Sequence, residues 1–138
     1  MKTNYLLLCL FISFLTYSQS NIDKVVGEAE KNICDCTKIS LIKNGVDVPK
    51  LVEISNLYKT KKSIPNSYTP IIQNLYKQIK SNIKAISTDV NICRENFKTN
   101  PKFQTYFKNK SFKDKLEIAL DFNNYYYGPK LIIQLAKK

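Results

Sequence analysis

Three cysteines, Cys34, Cys36 and Cys93, are the side chains of this chain best suited to covalent or metal chemistry. In an oxidising compartment thiols tend to pair. On a helix, Cys36 falls within the apolar face built from Ile22, Val26, Ala29, Ile33 and Ser40, whereas Cys34 points to its margin. Cys93 falls on the apolar face of a second helical segment. A Cys36–Cys93 disulfide is therefore expected, with Cys34 left over as a buried thiol, an interchain partner, or a competitor for the same bond. The alternative chemistry is a thiol-dependent redox or Cu(I)-handling site using Cys34, Cys36 and Cys93, since soft sulfur ligands suit Cu(I). That alternative needs local unwinding, because positions two apart on an intact helix diverge. Asp35 between the two cysteines also works against a lowered thiol pKa. No metal and no cofactor are assigned.

Other chemistries are excluded by what the sequence lacks. It contains no histidine, so it has neither the usual general base near neutral pH nor the commonest metal ligand. Ser-His-Asp and Cys-His nucleophilic schemes fall with it. Three glycines across the whole chain leave no phosphate-cradling loop. Glycoside hydrolysis needs two carboxylates at a fixed separation, and Glu28, Glu30, Asp35, Glu53, Asp89, Glu95, Asp114, Glu117 and Asp121 are scattered over polar faces with no pair singled out. No catalytic residues are assigned and the chain is not expected to be an enzyme. Asn109-Lys110-Ser111 fits the N-glycosylation pattern, which matters only in a eukaryotic secretory pathway.

Two surfaces could instead serve binding. Lys77, Lys80, Lys84 and Lys98 fall on one side of a long helix beside its apolar face, and such a stripe attracts acidic proteins, anionic polysaccharide, lipid headgroups or nucleic acid. The ordinary alternative is a solvated helix face. Every basic residue but Arg94 is a lysine, and Tyr76 is the one ring near the stripe, so nucleic acid is disfavoured. The second surface is Tyr125-Tyr126-Tyr127 after Asn123-Asn124, because tyrosines and asparagines suit recognition surfaces. Three successive rings cannot all face the core from one helix. The partner expected is a protein, glycan or other anionic macromolecule.

The elements that must position these residues read as helices. Ser20 to Asn44 keeps an alternating four-three apolar spacing, with Ser20 and Asp23 resembling a capping box and Gly45 as the stop. Asp47 caps a shorter segment with Pro49 in its first turn, ending near Lys59-Thr60-Lys61-Lys62, and Lys59 to Ser67 is the expected flexible loop. Thr69-Pro70 opens a long third helix with a face of Ile72, Leu75, Ile79, Ile83, Ile86, Val90, Cys93 and Phe97. A short turn follows Asn100-Pro101, Ser111 caps a fifth segment, and Gly128-Pro129 interrupts it before an apolar tail from Lys130. No segment alternates with a period of two residues. The fold class is all-α, a small bundle of about four to five helices with a long first and a long third helix.

Residues 1–18 give an address. Lys2 precedes the apolar run from Tyr5 to Leu15, and Thr16 and Ser18 are small residues at the −3 and −1 positions of a cut before Gln19. The run is shorter than the ~20 residues a spanning helix needs. Cys9 lies in the middle of that run rather than at its end, which argues against lipid attachment. The expected organisation is a signal peptide over 1–18 and a single helical domain over 19–138, about 120 residues, enough for one hydrophobic core. Loss of Lys2 takes the formal charge from +11 to +10. The sequence therefore reads as a secreted or periplasmic protein, non-enzymatic, that binds another macromolecule. N-terminal sequencing of protein recovered from the extracytoplasmic fraction should begin at Gln19; an intact Met1 terminus on protein found in the cytoplasm would sink the export assignment.

Overall fold

A computed structural model describes the chain from residue 3 to residue 137, with side chains from residue 21 onward. The export signal expected at 1–18 lies outside these fully described residues. Seven α-helices occur among the described residues: α1 (Thr3–Lys43), α2 (Val48–Lys61), α3 (Thr69–Ser81), α4 (Ile83–Thr99), α5 (Pro101–Gln104), α6 (Lys110–Phe122) and α7 (Asn124–Leu135). Single 3₁₀ turns at Asn66–Tyr68 and Tyr106–Lys108 link α2 to α3 and α5 to α6. No strand is present among the described residues, so the all-α class holds while the expected four to five helices become seven.

Two breaks account for the difference in number, one at Asn82 and one at Asn123, whose extended backbone (φ −81°, ψ 131°) separates α6 from α7. The long third helix divides at Asn82, whose backbone leaves helical geometry with φ −117° and ψ 13°. Its side-chain Nδ2 donates to Gln78 O at 3.1 Å and to Asn44 O at 3.1 Å, and Ser81 Oγ donates to Lys77 O at 2.8 Å. Two adjacent side chains thus occupy carbonyls of the preceding turn, the local competition by which Ser and Asn weaken a helix interior. Ile83, placed by the periodicity on the apolar face, is consequently 42% exposed, while Ile86, Cys93 and Phe97 turn towards α1 and are buried. Gly128-Pro129, by contrast, does not interrupt the chain but sits inside α7. Pro129 gives up one intrahelical hydrogen bond. Gly128 is buried against α2 at Leu51 and Ser55.

Capping follows short polar side chains. Asp47 Oδ1 accepts from Lys50 N at 3.1 Å as expected, and Asn100 Oδ1 accepts from Lys102 N at 3.0 Å. At α6 the cap is Asn109, whose Oδ1 accepts from Phe112 N at 3.2 Å, rather than Ser111, which lies inside the helix. The helix start expected at Ser20 is not found, since α1 already runs from Thr3. Asp23 instead pairs with Lys115 of α6. Gly45 takes the left-handed φ of +73° that ends α1. The Lys59 to Ser67 loop is shorter than expected, because Lys59–Lys61 belong to α2 and Asn66–Tyr68 form a 3₁₀ turn.

Helix α1 is the spine. It runs antiparallel to α4, as its contacts Cys36–Cys93, Ser40–Asp89 and Asn44–Asn82 show, rising along one helix and falling along the other. Its earlier part joins an aromatic-rich core with Phe97, Phe103, Phe112, Leu116 and Leu120. Its last turn joins an aliphatic core with Leu51, Ile54, Leu75, Ile79 and Ile132, and Tyr125 packs against both. Phe103 stacks on Phe97 with ring centroids 4.1 Å apart.

Two glycines allow opposite tests of this packing. A Cβ on Gly128 would meet Leu51 Cγ and Ser55 Oγ at 3.0 Å, whereas one on Gly27 would meet nothing within 4 Å. Gly128→Ala should therefore destabilise by ~1–3 kcal/mol through overpacking in urea unfolding. Gly27→Ala, on the exposed face of α1, should stabilise by ~0.5–1 kcal/mol. Equal effects of the two substitutions would show that α2 and α7 are not in close contact at Gly128.

Candidate functional site

The disulfide lies between α1 and α4. Cys36 and Cys93 are bonded with their Cα atoms 6.2 Å apart at a sequence separation of 57. Cys36 is half-exposed and Cys93 buried, so the bond lies at the edge of the α1–α4 seam. Cys34 differs from expectation: it is 2% exposed, deep in the aromatic-rich core rather than at the margin of the helix face. The cause is the breadth of the surface that α1 buries. Cys34, Thr37 and Leu41 are buried in addition to the predicted stripe, because α6 and α7 cover the flank that a single stripe would leave in water. Thr37 can be buried there because its hydroxyl donates to Ile33 O at 2.8 Å.

This placement governs thiol chemistry. Residues two apart on a helix are rotated by roughly 200°, so Cys34 faces the opposite side of α1 from the Cys36–Cys93 bond. Burial first, and then the carboxylates of Glu30 and Asp35, push the Cys34 thiol from an ordinary 9.0 up to about 12. A neutral buried thiol is a poor nucleophile and a poor ligand. Among the described residues no group of three or more Cys, Asp or Glu side chains is placed to hold a metal ion.

The tyrosine cluster is drawn inward. Tyr125, Tyr126 and Tyr127 are all half-buried. Tyr125 packs against both cores with Lys38 Nζ 5.4 Å from its ring centroid. Tyr126 accepts a hydrogen bond from Arg94 Nη1, and Lys130 Nζ stands 4.7 Å from its ring centroid. Asn123 caps α7 with its Oδ1 on Tyr125 N at 3.0 Å and donates Nδ2 to Glu30 at 3.0 Å. Lys59 reaches across from α2 and donates to Asn124 Oδ1 at 2.6 Å and to Phe122 O. Burial lowers the Lys59 pKa, with Glu30 working the other way. Much of the Asn-Tyr sequence is therefore occupied in joining α6, α7, α1 and α2.

The lysine stripe is divided by the break at Asn82. Lys77 and Lys80 lie at the end of α3 and Lys84 in the first turn of α4, on the two arms of this elbow, all exposed. Lys80 Nζ stands 5.4 Å from the Tyr76 ring centroid. Lys98 is carried far along α4, where it pairs with Glu95 at 2.6 Å. The side chains of Asp89, Ser40 and Lys43 tie the elbow region to α1: Ser40 Oγ donates to Asp89 at 2.8 Å and Lys43 lies 3.4 Å from it. The Ser40 hydroxyl is the largest cause of the lowered Asp89 pKa.

No family model matches this chain, and no curated protein or solved structure matches it.

A feature that sequence reasoning missed is a cleft of about 200 Å³ between α1, α4 and α6. Ile33, Phe107 and Leu116 form its apolar lining, and Arg94, Lys98, Lys113 and Glu117 its polar lining. Arg94 Nη2 donates to Glu117 at 2.5 Å while Nη1 serves Tyr126. Burial opposes the Arg94 charge, but Tyr126 and Glu117 together outweigh it and raise the pKa further. The one signal in the sequence was that Arg94 is the only arginine among 22 basic residues.

The Cys34 environment has a pH signature. Because the folded pKa lies above the unfolded one, the stabilisation is complete below pH 9 and is lost as pH rises towards 12. Unfolding free energy of the wild type should fall more steeply over that window than that of Cys34→Ala. Ellman's reagent should find no reactive thiol in the folded protein and one after unfolding without reductant. A fast-reacting native thiol, or identical pH slopes for the two proteins, would contradict this placement.

Proposed function

We propose that this chain is an exported, non-enzymatic helical domain that binds an anionic macromolecule through the lysines of the α3–α4 elbow, Lys77, Lys80 and Lys84. The observation that carries this is the distribution of its carboxylates. The sequence has 11 Asp and Glu residues, and each has a partner within the fold. Asp23, Glu28, Asp35, Glu53, Asp89, Glu95, Asp114, Glu117 and Asp121 pair with lysine or arginine. Glu30 accepts from Asn123, and Asp47 caps α2. Elbow lysines make no ion pair among the described residues, so their field is directed outward.

Lysine ammonium groups on flexible stems are point charges without a fixed fork. They suit a flexible polyanion with distributed charge better than a ligand demanding bidentate geometry. Export rests on residues 1–18, and the disulfide fits an oxidising compartment. A thiol-based redox or Cu(I)-handling role is less well supported, because Cys34 is buried on the far side of α1 from the bond.

Heparin serves as the polyanion probe. Wild-type affinity should fall with rising salt. The triple variant K77Q/K80Q/K84Q should bind about tenfold more weakly, as three exposed contacts of ~0.5 kcal/mol each would give. The control K31Q/K50Q/K110Q loses the same net charge at positions already paired with acids. Equal losses in the two variants would mean that bulk charge alone is responsible and would overturn the assignment of the elbow.

A further inference from the structure

We propose that the cleft between α1, α4 and α6 is a binding site for a small monoanionic amphiphile, a carboxylate carried on a short apolar body. This goes beyond the polyanion surface and uses different residues. Ile33, Phe107 and Leu116 supply the apolar half, and Arg94, Lys98 and Lys113 supply cations against the single carboxylate of Glu117. The local balance is thus three positive charges to one negative. Lys98 has Glu95 beside it at 2.6 Å, outside the lining. Lys113 is exposed and makes no ion pair among the described residues, leaving one cation at the mouth without a counterpart.

The cleft is formed before any ligand arrives. Phe107 is held edge-on by Phe97, with centroids 5.6 Å apart, and by Phe112 at 5.2 Å. Leu116 and Ile33 are fixed in the aromatic-rich core. Arg94 is oriented by Glu117 and Tyr126, which take one Nη each and leave further N–H donors on its planar fork. A guanidinium pre-positioned beside an apolar wall loses little freedom on binding a carboxylate, which is the condition under which a charge-assisted hydrogen bond adds affinity. Size sets the class of ligand: about 200 Å³ is below the ~300–1,000 Å³ of pockets that accept drug-sized molecules. A single short chain or one ring fits, and a second charged group would meet Glu117.

Octanoate and 1-octanol are the probes, titrated into isotopically labelled wild-type protein and followed by amide chemical shifts. Octanoate should bind saturably, shifting amides around Ile33, Arg94, Phe107, Lys113 and Leu116, with 1-octanol about tenfold weaker. Arg94→Gln should abolish the preference for octanoate over octanol. Because Arg94 also holds Glu117 and Tyr126, the exposed Lys113→Glu is the second variant, expected to weaken octanoate severalfold and leave octanol unchanged. K77Q/K80Q/K84Q should bind octanoate like wild type, so failure at the elbow and failure at the cleft are separable. Octanol binding as tightly as octanoate, shifts centred outside the cleft, no saturable octanoate binding, or unchanged octanoate affinity in both Arg94→Gln and Lys113→Glu would each overturn the proposal.

Discussion

A helix that must hide about half of its circumference cannot be satisfied by one neighbour, and this constraint on α1 arranges the rest of the molecule. From Ile22 to Leu41 its buried positions sweep through roughly 180° of the helical wheel. On one flank α4 lies antiparallel and is fixed in register by the Cys36–Cys93 bond, with Asp89 receiving Ser40 one turn further on. On the other flank α6 and α7 close over Cys34 and Thr37. The disulfide closes a loop of 57 residues, which in the chain-entropy view stabilises by about 4 kcal/mol. Its position at the edge of the seam, with Cys34 sealed on the opposite side, makes it a fastener between two helices.

Around that spine the cores divide by shape. Aromatic rings fill the part where α5 and the 3₁₀ turn at Tyr106–Lys108 are too short to offer long apolar faces; Phe97, Phe103, Phe107 and Phe112 contact one another in stacked and edge-on pairs. Aliphatic side chains fill the other part, where α2, α3 and α7 approach closely enough for Gly128 to touch Leu51. Between them runs a polar seam in which Lys59, Asn56, Asn123, Asn124 and Glu30 satisfy one another and the last carbonyl of α6. These mostly half-buried polar groups partner one another and fix how α6 turns into α7.

The electrostatics follow from a simple imbalance. Basic residues outnumber acidic ones 22 to 11, so that once each carboxylate is engaged a surplus of lysines is left without an acidic partner. Exposed pairs of this kind contribute little stability individually. Lysines without an ion pair among the described residues include those of the α3–α4 elbow and Lys113 at the Arg94 cleft, two places that differ in chemistry. The elbow is open and offers point charges. The cleft combines a rigid guanidinium with an apolar wall.

By itself the sequence determined the helical class, the Asp47 cap, the stop at Gly45 and the pairing of Cys36 with Cys93, because each rests on local spacing, local hydrogen bonding or the face on which a residue falls. It did not disclose the break at Asn82, since the apolar rhythm continues through Ile83. The local bonds of Ser81 and Asn82 to the preceding turn are joined there by a contact of Asn82 with Asn44, a residue 38 positions away, that ties the elbow to the end of α1. Cys34 could not be placed from one stripe of α1, because its burial depends on α6 and α7 arriving on a second flank. The helix through Gly128-Pro129 was hidden for a related reason: local rules count Pro as a breaker, while close packing on α2 holds the helix together. The Arg94 cleft lay furthest from view. Its walls come from α1, α4, the turn after α5 and α6, and no periodicity within one segment records what four segments enclose.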